Sequence, residues 1–382
     1  MLLKKCQDWI EIHREEKIII VKMLELCASI STCRVGGGYR DDLSFVCNHQ
    51  CCEPRDHLDF VDSKIIDDPE SYHKSICDYY NLPSDSTAIL ETAANMNNAA
   101  IETVTFRDLV VTAICTGGVE CNSMAAGDPA AVYETDDRFE IIDGNDVPHA
   151  GTINLMLFIN HRVSAVALLD CVMTATEAKA AVLRELGIYS RYSDSMATGT
   201  GTDQILVASR GGSGLMLSSA GKHTKLGELV GLVSLKALRE TLIWQNSLSP
   251  NVQCSCMTHL GPLCADAEVF CEGVGRFLTS EQAALFTKNL SSIDLDPPTV
   301  AALAALIHVR DKCIWGVLPV GCVKEMLVAQ GAMVVAAVSG KFCETPAFIQ
   351  ELSVEDVSID AQEFASFVYR SFALGFDAKW RK

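Results

Sequence analysis

Short apolar runs with strand character occupy the amino-terminal part of the chain. Residues 17–21 and 43–47 are short runs with strand-type composition and predict two strands, and residues 109–115 form a further apolar run. Ser86 has the side chain of a helix N-cap and predicts a helix that runs towards Ala100. Strand and helix patterns therefore alternate in this part of the chain, which indicates an α/β fold.

Two strand-and-helix units follow in the middle of the chain. In the first, a buried strand over 155–159 precedes a helix over 164–186 that ends before a glycine. In the second, a strand over 204–208 precedes an amphipathic helix over about 226–245. Together with the earlier strands, these units predict a mixed α/β domain over residues 1–247.

The periodicity changes after residue 246, where turn residues cluster as far as Asn251. Helical spacing then dominates, and it is clearest over 280–289, 299–309, 323–330 and 360–373. The sequence therefore predicts a second, smaller and mainly helical domain over residues 252–382, and it indicates no role for that domain.

Composition and charge narrow the class of protein. The 382 residues are 49% hydrophobic and 21% charged, which is typical of a globular protein. Lys and Arg number 31 against 49 Asp and Glu, so the formal net charge is −18 and we expect neither nucleic acid nor an anionic membrane as a partner.

The amino terminus lacks a long apolar stretch, and charges interrupt the apolar stretch 314–338, so no signal peptide or membrane span is predicted. Seventeen scattered cysteines suit a reducing compartment, and we expect a cytoplasmic protein.

Residues 221–228 form a segment dense in titratable groups. It places His223, Lys225 and Glu228 at a predicted helix start, where free backbone N–H groups favour anions. An imidazole is the side chain best suited to act as a general acid or base near neutral pH. The alternative is a polar helix end in which His223 or Thr224 serves as a cap.

A loop of alternating threonine and glycine precedes the second of the two predicted strands. It carries the hydroxyl groups of Thr198 and Thr200 on flexible backbone and places Asp203 at the strand entry. Such a loop can hold an anion, or it can be a tight turn whose threonines satisfy neighbouring backbone groups. It matches neither glycine-rich phosphate motif, so a nucleotide-binding enzyme is the least favoured interpretation.

Six segments in chain order resemble the adenosylcobinamide amidohydrolase family: 48–50, 126–129, 151–154, 174–179, 197–203 and 221–228. The resemblance extends from about residue 26 to residue 237. It implies hydrolysis of the amide that joins the aminopropanol arm to the corrin ring of adenosylcobinamide, which yields adenosylcobyric acid for cobamide salvage and remodelling. The corrinoid would be a small-molecule substrate and not a cofactor. Metal dependence and oligomeric state stay open.

The resemblance and the side-chain chemistry together give a set of candidate site residues. His223, Asp203 and His49 are the candidate catalytic residues, with His223 first as the general acid or base. His49 has alternatives as a turn cap or as a ligand of the corrinoid cobalt. The candidate substrate-binding residues are Asn48, Thr152, Asn154, Glu177, Lys179, Thr198, Thr200, Lys225 and Glu228.

We expect these motif residues to converge on one concavity. The rival interpretation, from a different class of protein, is a non-catalytic corrinoid-binding carrier or regulatory protein. Product formation distinguishes the two.

Overall fold

The chain forms two compact units in the computed structural model, Met1–Leu248 and Ser249–Lys382. The structure describes residues 1–6, 8–51, 68–135, 138–142, 151–261, 263–264, 266–354 and 357–381. Strands and helices are numbered in chain order.

A five-stranded sheet forms one layer of the first unit. Its strands are β1 (Leu2–Cys6), β2 (Ile10–Glu15), β3 (Ile18–Met23), β6 (Phe45–Gln50) and β7 (Thr87–Thr92). They lie in the order β1-β2-β3-β6-β7, with β6 and β7 parallel and the other neighbours antiparallel. Residues 18–21 of β3 are all buried, because both faces of this part of the sheet are covered.

A six-stranded sheet forms the next layer. Its strands are β4 (Cys27–Ser31), β5 (Gly38–Arg40), β8 (Ala100–Phe106), β9 (Leu109–Gly117), β13 (Ile153–Ile159) and β16 (Gln204–Arg210). They lie in the order β5-β4-β16-β13-β9-β8, and β13 and β16 are the parallel pair, in which Asn154 lies opposite Gln204. The short strands form three further pairs: β10 (Ser123–Met124) with β15 (Gly199–Thr200), β11 (Val132–Thr135) with β12 (Arg138–Ile141), and β14 (Arg162–Val163) with β17 (Met216–Leu217).

Three helices cover the sheets: α1 (Pro69–Tyr79), α2 (Ala165–Glu185) and α3 (Lys225–Asn246). The side chain of Ser164 caps α2 by accepting a hydrogen bond from the N–H of Ala167. Thr224 caps α3 in the same way through the N–H of Gly227, so the threonine and not His223 is the cap.

Three clusters of buried side chains hold these layers together. One lies between the two sheets and includes Trp9, Val21 and Phe158. A second packs α2 and α3 on the other face of the six-stranded sheet, and a third packs α1 on the outer face of the five-stranded sheet. The first unit is therefore a stack of four layers, with helices outside two facing sheets. The predicted mixed α/β fold class with a helical carboxyl-terminal region is confirmed.

The helix predicted from Ser86 towards Ala100 is wrong. Ser86 ends a single 3₁₀ turn, and the following residues form β7. Ala88 and Leu90 pack between the sheets while Ile89 faces α1, an alternation that suits a strand. The burial of both faces outweighs the local capping preference of one serine.

The second unit is helical throughout its regular structure. Its helices are α4 (Pro250–Gln253), α5 (Cys256–Leu260), α6 (Ala267–Gly275), α7 (Ser280–Asp294), α8 (Pro297–Ile314), α9 (Val323–Ser339), α10 (Thr345–Ser353) and α11 (Ala361–Ala378). Edge-to-face aromatic contacts join α6 and α7 to α11, with ring centroids 5.1 Å apart for Phe270 and Phe372 and 5.3 Å apart for Phe286 and Phe376.

One stretch of this unit has the length and apolar composition of a membrane span. Among the described residues it is Val320–Ser339, and up to two spans result if α7 and α8, bent by 89°, are counted as one broken helix. Half of the Val320–Ser339 stretch is buried inside the protein. A core helix of a globular unit passes the same test, so the stretch is not a clear membrane signal.

Candidate functional site

Polar loops gather at the end of the six-stranded sheet where β13 and β16 begin, here called the polar end. Five of the six family-like segments meet there through direct contacts. Asn154 of segment 151–154 bonds to Asn48, the N–H of Ala126 bonds to Thr198, and Lys179 bonds to Asp203. These contacts bring together segments that lie up to about 150 residues apart in the chain.

The carboxylate of Asp203 is the centre of the polar end. Its Oδ1 accepts hydrogen bonds from the N–H of Ile153 at 2.9 Å and from Thr200 Oγ1 at 2.5 Å. Its Oδ2 accepts from the N–H of Thr200 at 3.0 Å and from the ammonium group of Lys179. Four donors use the acceptor capacity of the carboxylate, so Asp203 joins the loop, β13 and α2.

A cavity of about 210 Å³ adjoins this ion pair, between the six-stranded sheet and helices α2 and α3. Its polar lining residues are Thr32, Thr176, Lys179, Asp203 and Gln204. The volume is below the roughly 300–1,000 Å³ of pockets that enclose a whole small molecule. The cavity therefore suits the arm of a larger ligand, whose macrocycle would lie outside it.

Two amides on adjacent strands attach the six-stranded sheet to the edge of the five-stranded sheet. Asn154 Nδ2 donates to the carbonyl oxygen of Glu91 at 2.9 Å, and Gln204 Oε1 accepts from the N–H of Glu91 at 2.7 Å. Asn154 Nδ2 also donates to Asn48 Oδ1 at 2.9 Å, and Asn48 Nδ2 donates to Thr116 Oγ1 at 2.8 Å. Asn48 and Asn154 are completely buried, so this network fixes how the two sheets pack.

The threonines of the polar end join the threonine and glycine loop to two other loops. Thr152 Oγ1 lies 2.5 Å from Thr202 Oγ1, and Thr198 Oγ1 accepts from the N–H of Ala126 at 2.9 Å. They hold the loop in one conformation beside Asp203.

His49 lies on the opposite face of its strand from Asn48, because successive side chains of a strand point to opposite sides. Its Nδ1 lies 2.9 Å from the hydroxyl of Tyr72 on α1. Burial lowers the pKa of His49 to about 4, and the positive charge of Lys17 acts in the same direction. The imidazole is therefore neutral at pH 7 and faces α1, away from the Asn48 network.

The segment 221–228 contacts α2 through the pair of Lys222 with Glu177, and its Lys225 lies at the other end of the six-stranded sheet. The ammonium of Lys225 is 2.6 Å from Glu228 and lies 4.5 Å from the ring centre of Phe106, the last residue of β8. β13 begins at the polar end and ends beside Phe106. Its seven residues span about 20 Å, which is the distance between these two ends of the sheet along β13. His223 is exposed to solvent, and the structure does not bring it to Asp203.

Glu177 also has a different setting from Lys179, although both lie on α2. Its carboxylate pairs with Lys222, and the two side chains are 52% and 68% exposed. The predicted site residues therefore fall into separate groups, and of the candidate residues Lys179 and Asp203 line the cavity of about 210 Å³. The pairs Asp203 with Lys179 and Asn48 with Asn154 are brought together.

Glu91 is a titratable residue at the polar end that the sequence analysis missed. Burial raises the pKa of its carboxyl group, while the charge of Arg34 and a 3.4 Å hydrogen bond from Gln204 Nε2 act in the opposite direction. It was missed because a helix from Ser86 towards Ala100 was predicted where strand β7 lies. The signal that would have found it is the apolar run 88–90, which is followed by a carboxylate near the end of the strand.

In the described part of the chain, neither the cysteines nor a cluster of metal-ligating side chains forms a second candidate site. The fifteen cysteines described are all free, and no group of three or more His, Cys, Asp or Glu side chains is arranged to hold a metal ion there. Burial raises the pKa of Cys33, next to Glu91, to about 12, so this thiol is protonated at neutral pH.

The fold and the polar end define an α/β protein with a small cavity lined by both polar and apolar side chains, and comparison with known proteins names its family. The family model CbiZ, adenosylcobinamide amidohydrolase, matches residues 3–250. The chain belongs to the adenosylcobinamide amidohydrolase family. An uncharacterized protein of Methanocaldococcus jannaschii is 34% identical over 184 residues, which cover 47% of this chain and 71% of that protein.

Proposed function

We propose that this protein hydrolyses the amide between the aminopropanol arm and the corrin ring of adenosylcobinamide and releases adenosylcobyric acid, as a step of cobamide salvage. The observation that carries the proposal is the match of the family across almost the whole first unit. The corrinoid is a substrate in this proposal and not a resident cofactor. The net charge of −18 and the scattered thiols favour a cytoplasmic reaction without nucleic acid or membrane partners.

The size of the cavity and the ammonium group in its wall support this reaction class. A narrow pocket of about 210 Å³ suits the aminopropanol arm and its amide, while the corrin ring stays at the mouth. The ammonium group of Lys179, which carries three N–H donors, lines it. Such donors stabilise negative charge that develops on an amide oxygen during hydrolysis.

The test is a product assay on the full chain. Purified protein is incubated with adenosylcobinamide, and the corrinoids are separated and identified by mass. We expect adenosylcobyric acid and free aminopropanol in equal amounts. Tight binding of adenosylcobinamide without either product would contradict the proposal and favour the corrinoid-binding carrier. A parallel incubation with a chelator reports whether turnover depends on a metal ion.

His223→Ala is expected to retain turnover within about threefold of the unsubstituted chain, because its imidazole is exposed to solvent and is not among the side chains that line the cavity. Single-turnover rates and binding constants for adenosylcobinamide provide the measurement, with circular dichroism as the check on folding. A loss of about 10²–10⁴-fold in rate with unchanged binding would instead restore His223 as the general acid or base.

A further inference from the structure

Helix α2 exposes an uncharged apolar stripe to solvent. Val166, Leu169 and Met173 follow one another at helical spacing, so they lie on one face of the helix, here called the α2 stripe. These residues are 67%, 51% and 63% exposed. A helix that packs on a sheet normally turns charged or polar side chains to water. Neighbouring exposed apolar side chains on a globular unit indicate a binding surface.

The α2 stripe leads to the cavity of about 210 Å³. Thr176 lies one helical turn beyond Met173 on the same side of α2, and it lines the cavity. Of the described residues that line the cavity, Thr32 and Thr176 are exposed to solvent, while the others are buried or half-buried. The mouth of the cavity therefore lies between Thr176 and Thr32, which follows β4, and the α2 stripe begins beside this mouth.

Tyr39 of the edge strand β5 lies on the other side of the mouth. It is directly opposite Ile30 of β4, two residues before Thr32, so the Tyr39 and Ile30 side chains share one face of the sheet. Ile30 packs against the buried cluster under α2 and α3, so this is the face that carries the cavity. The next side chain, Arg40, points the other way and donates to the carbonyl oxygen of Asp85. Tyr39 is 53% exposed, so its ring and the α2 stripe border the mouth from two sides.

The substrate of the proposed function is larger than the cavity. About 210 Å³ accepts an arm with its amide, whereas pockets that enclose a whole small molecule have roughly 300–1,000 Å³. The corrin macrocycle then lies outside, on the surface around the mouth. A corrin is a broad ring whose faces are largely apolar and whose edge carries amide side chains. Leucine, thioether and aromatic side chains bind such a face through apolar contact and stacking.

We propose that the corrin macrocycle of adenosylcobinamide binds between the α2 stripe and Tyr39, while its aminopropanol arm enters the cavity between Thr32 and Thr176. This inference rests on the proposed function for the identity of the ligand. No bond forms or breaks at this surface. Its contacts are the same before and during the reaction, so they contribute to the affinity for the corrinoid and not to the rate of the chemical step.

The test measures the binding of two corrinoids to the full chain by equilibrium dialysis and by the concentration dependence of single-turnover rates. They are adenosylcobinamide and adenosylcobyric acid, which has the macrocycle without the arm. Met173→Gln and Tyr39→Thr remove apolar contact and keep residue types suited to a helix and to a strand. We expect each variant to weaken the binding of both corrinoids about 10-fold, and the double variant about 100-fold. The single-turnover rate at saturating adenosylcobinamide should stay within about threefold.

Leu26→Gln is the matched control for Leu169→Gln. Leu26 is 73% exposed, and its carbonyl oxygen accepts from the N–H of Gly211, just past the end of β16, so it lies at the opposite end of the six-stranded sheet from the cavity. Leu26→Gln should leave the binding of both corrinoids unchanged, whereas Leu169→Gln should weaken it. The thermal midpoint should change little in each variant, because the substituted side chains are exposed.

The outcomes separate this inference from the proposed function. If the chain binds both corrinoids without forming product, hydrolysis fails, and dialysis with the variants still decides the surface. If product forms while Met173→Gln, Leu169→Gln and Tyr39→Thr bind as tightly as the unsubstituted chain, the function stands and the surface is overturned. If the chain binds neither corrinoid, both proposals fail.

A second copy of this chain is the other possible occupant of the α2 stripe. Sedimentation of the unsubstituted chain and of Met173→Gln tests it. If Met173→Gln converts a dimer to a monomer and leaves corrinoid binding unchanged, the stripe is an interface between copies and the inference is wrong. Weaker binding of adenosylcobinamide with unchanged binding of adenosylcobyric acid would also contradict it, because the surface would then contact the arm and not the macrocycle.

Discussion

Replacing Asp203 by alanine is expected to lower the free energy of unfolding of the first unit by about 3 kcal/mol, because Lys179 would keep a charge in a largely enclosed site without its partner. The two side chains are only 13% and 17% exposed, and the same change removes three further hydrogen bonds that order the loop. Thermal unfolding followed by circular dichroism should show a midpoint roughly 6–12 °C lower. Turnover should fall with it, since the cavity wall is lost.

The matched control lies on the same helix. Glu177→Ala breaks a lysine–carboxylate pair whose side chains are more than half exposed, and such pairs contribute about 0–1 kcal/mol. The midpoint should shift little. Lys179→Met is a second variant of the Asp203–Lys179 ion pair. It removes the ammonium group, so no unpaired lysine is left. If Asp203→Ala and Glu177→Ala had equal midpoints, Asp203 would not be the centre of the polar end.

Replacing Gly227 by alanine is expected to destabilise the first unit by about 1–3 kcal/mol through overpacking at the start of α3. An added Cβ would lie 2.3 Å from the carbonyl oxygens of both Ala220 and Gly221. These are backbone atoms of the loop that Thr224 ties to the helix, so relief requires the whole loop to move. The family-like segment 221–228 thus has a packing reason for its second glycine.

Gly231→Ala is the control for Gly227→Ala, one helical turn further along α3. Its added Cβ would meet the Thr174 methyl carbon at 3.5 Å, which is ordinary van der Waals contact. Alanine is favoured over glycine in a helix interior by about 1 kcal/mol, so this variant should unfold at the same or a higher temperature. A drop as large as that of Gly227→Ala would show that the helix and not the loop contact is responsible.

Sequence patterns predicted the parts of the fold that local forces decide. The strand within β13, the strand within β16 and helices α2 and α3 were predicted nearly to their ends, because apolar spacing and capping side chains act within a few residues. Strand β7 was missed, because its strand conformation depends on the two layers that cover it and not on the capping preference of Ser86. The independence of the domains predicted at 1–247 and 252–382 stays a prediction.

The candidate site shows the same difference between what the local sequence determines and what tertiary packing determines. The amino-acid sequence by itself determined the family-like segments and the residue types they carry, because these are properties of the chain order. Only the tertiary structure decided which of them meet: Asn48 and Asn154 are 106 residues apart and touch, whereas His49, next to Asn48, faces the other way. The physical reasons are the alternation of side chains along a strand and the direction of β13, which runs from the polar end to the end of the sheet where Lys225 lies beside Phe106.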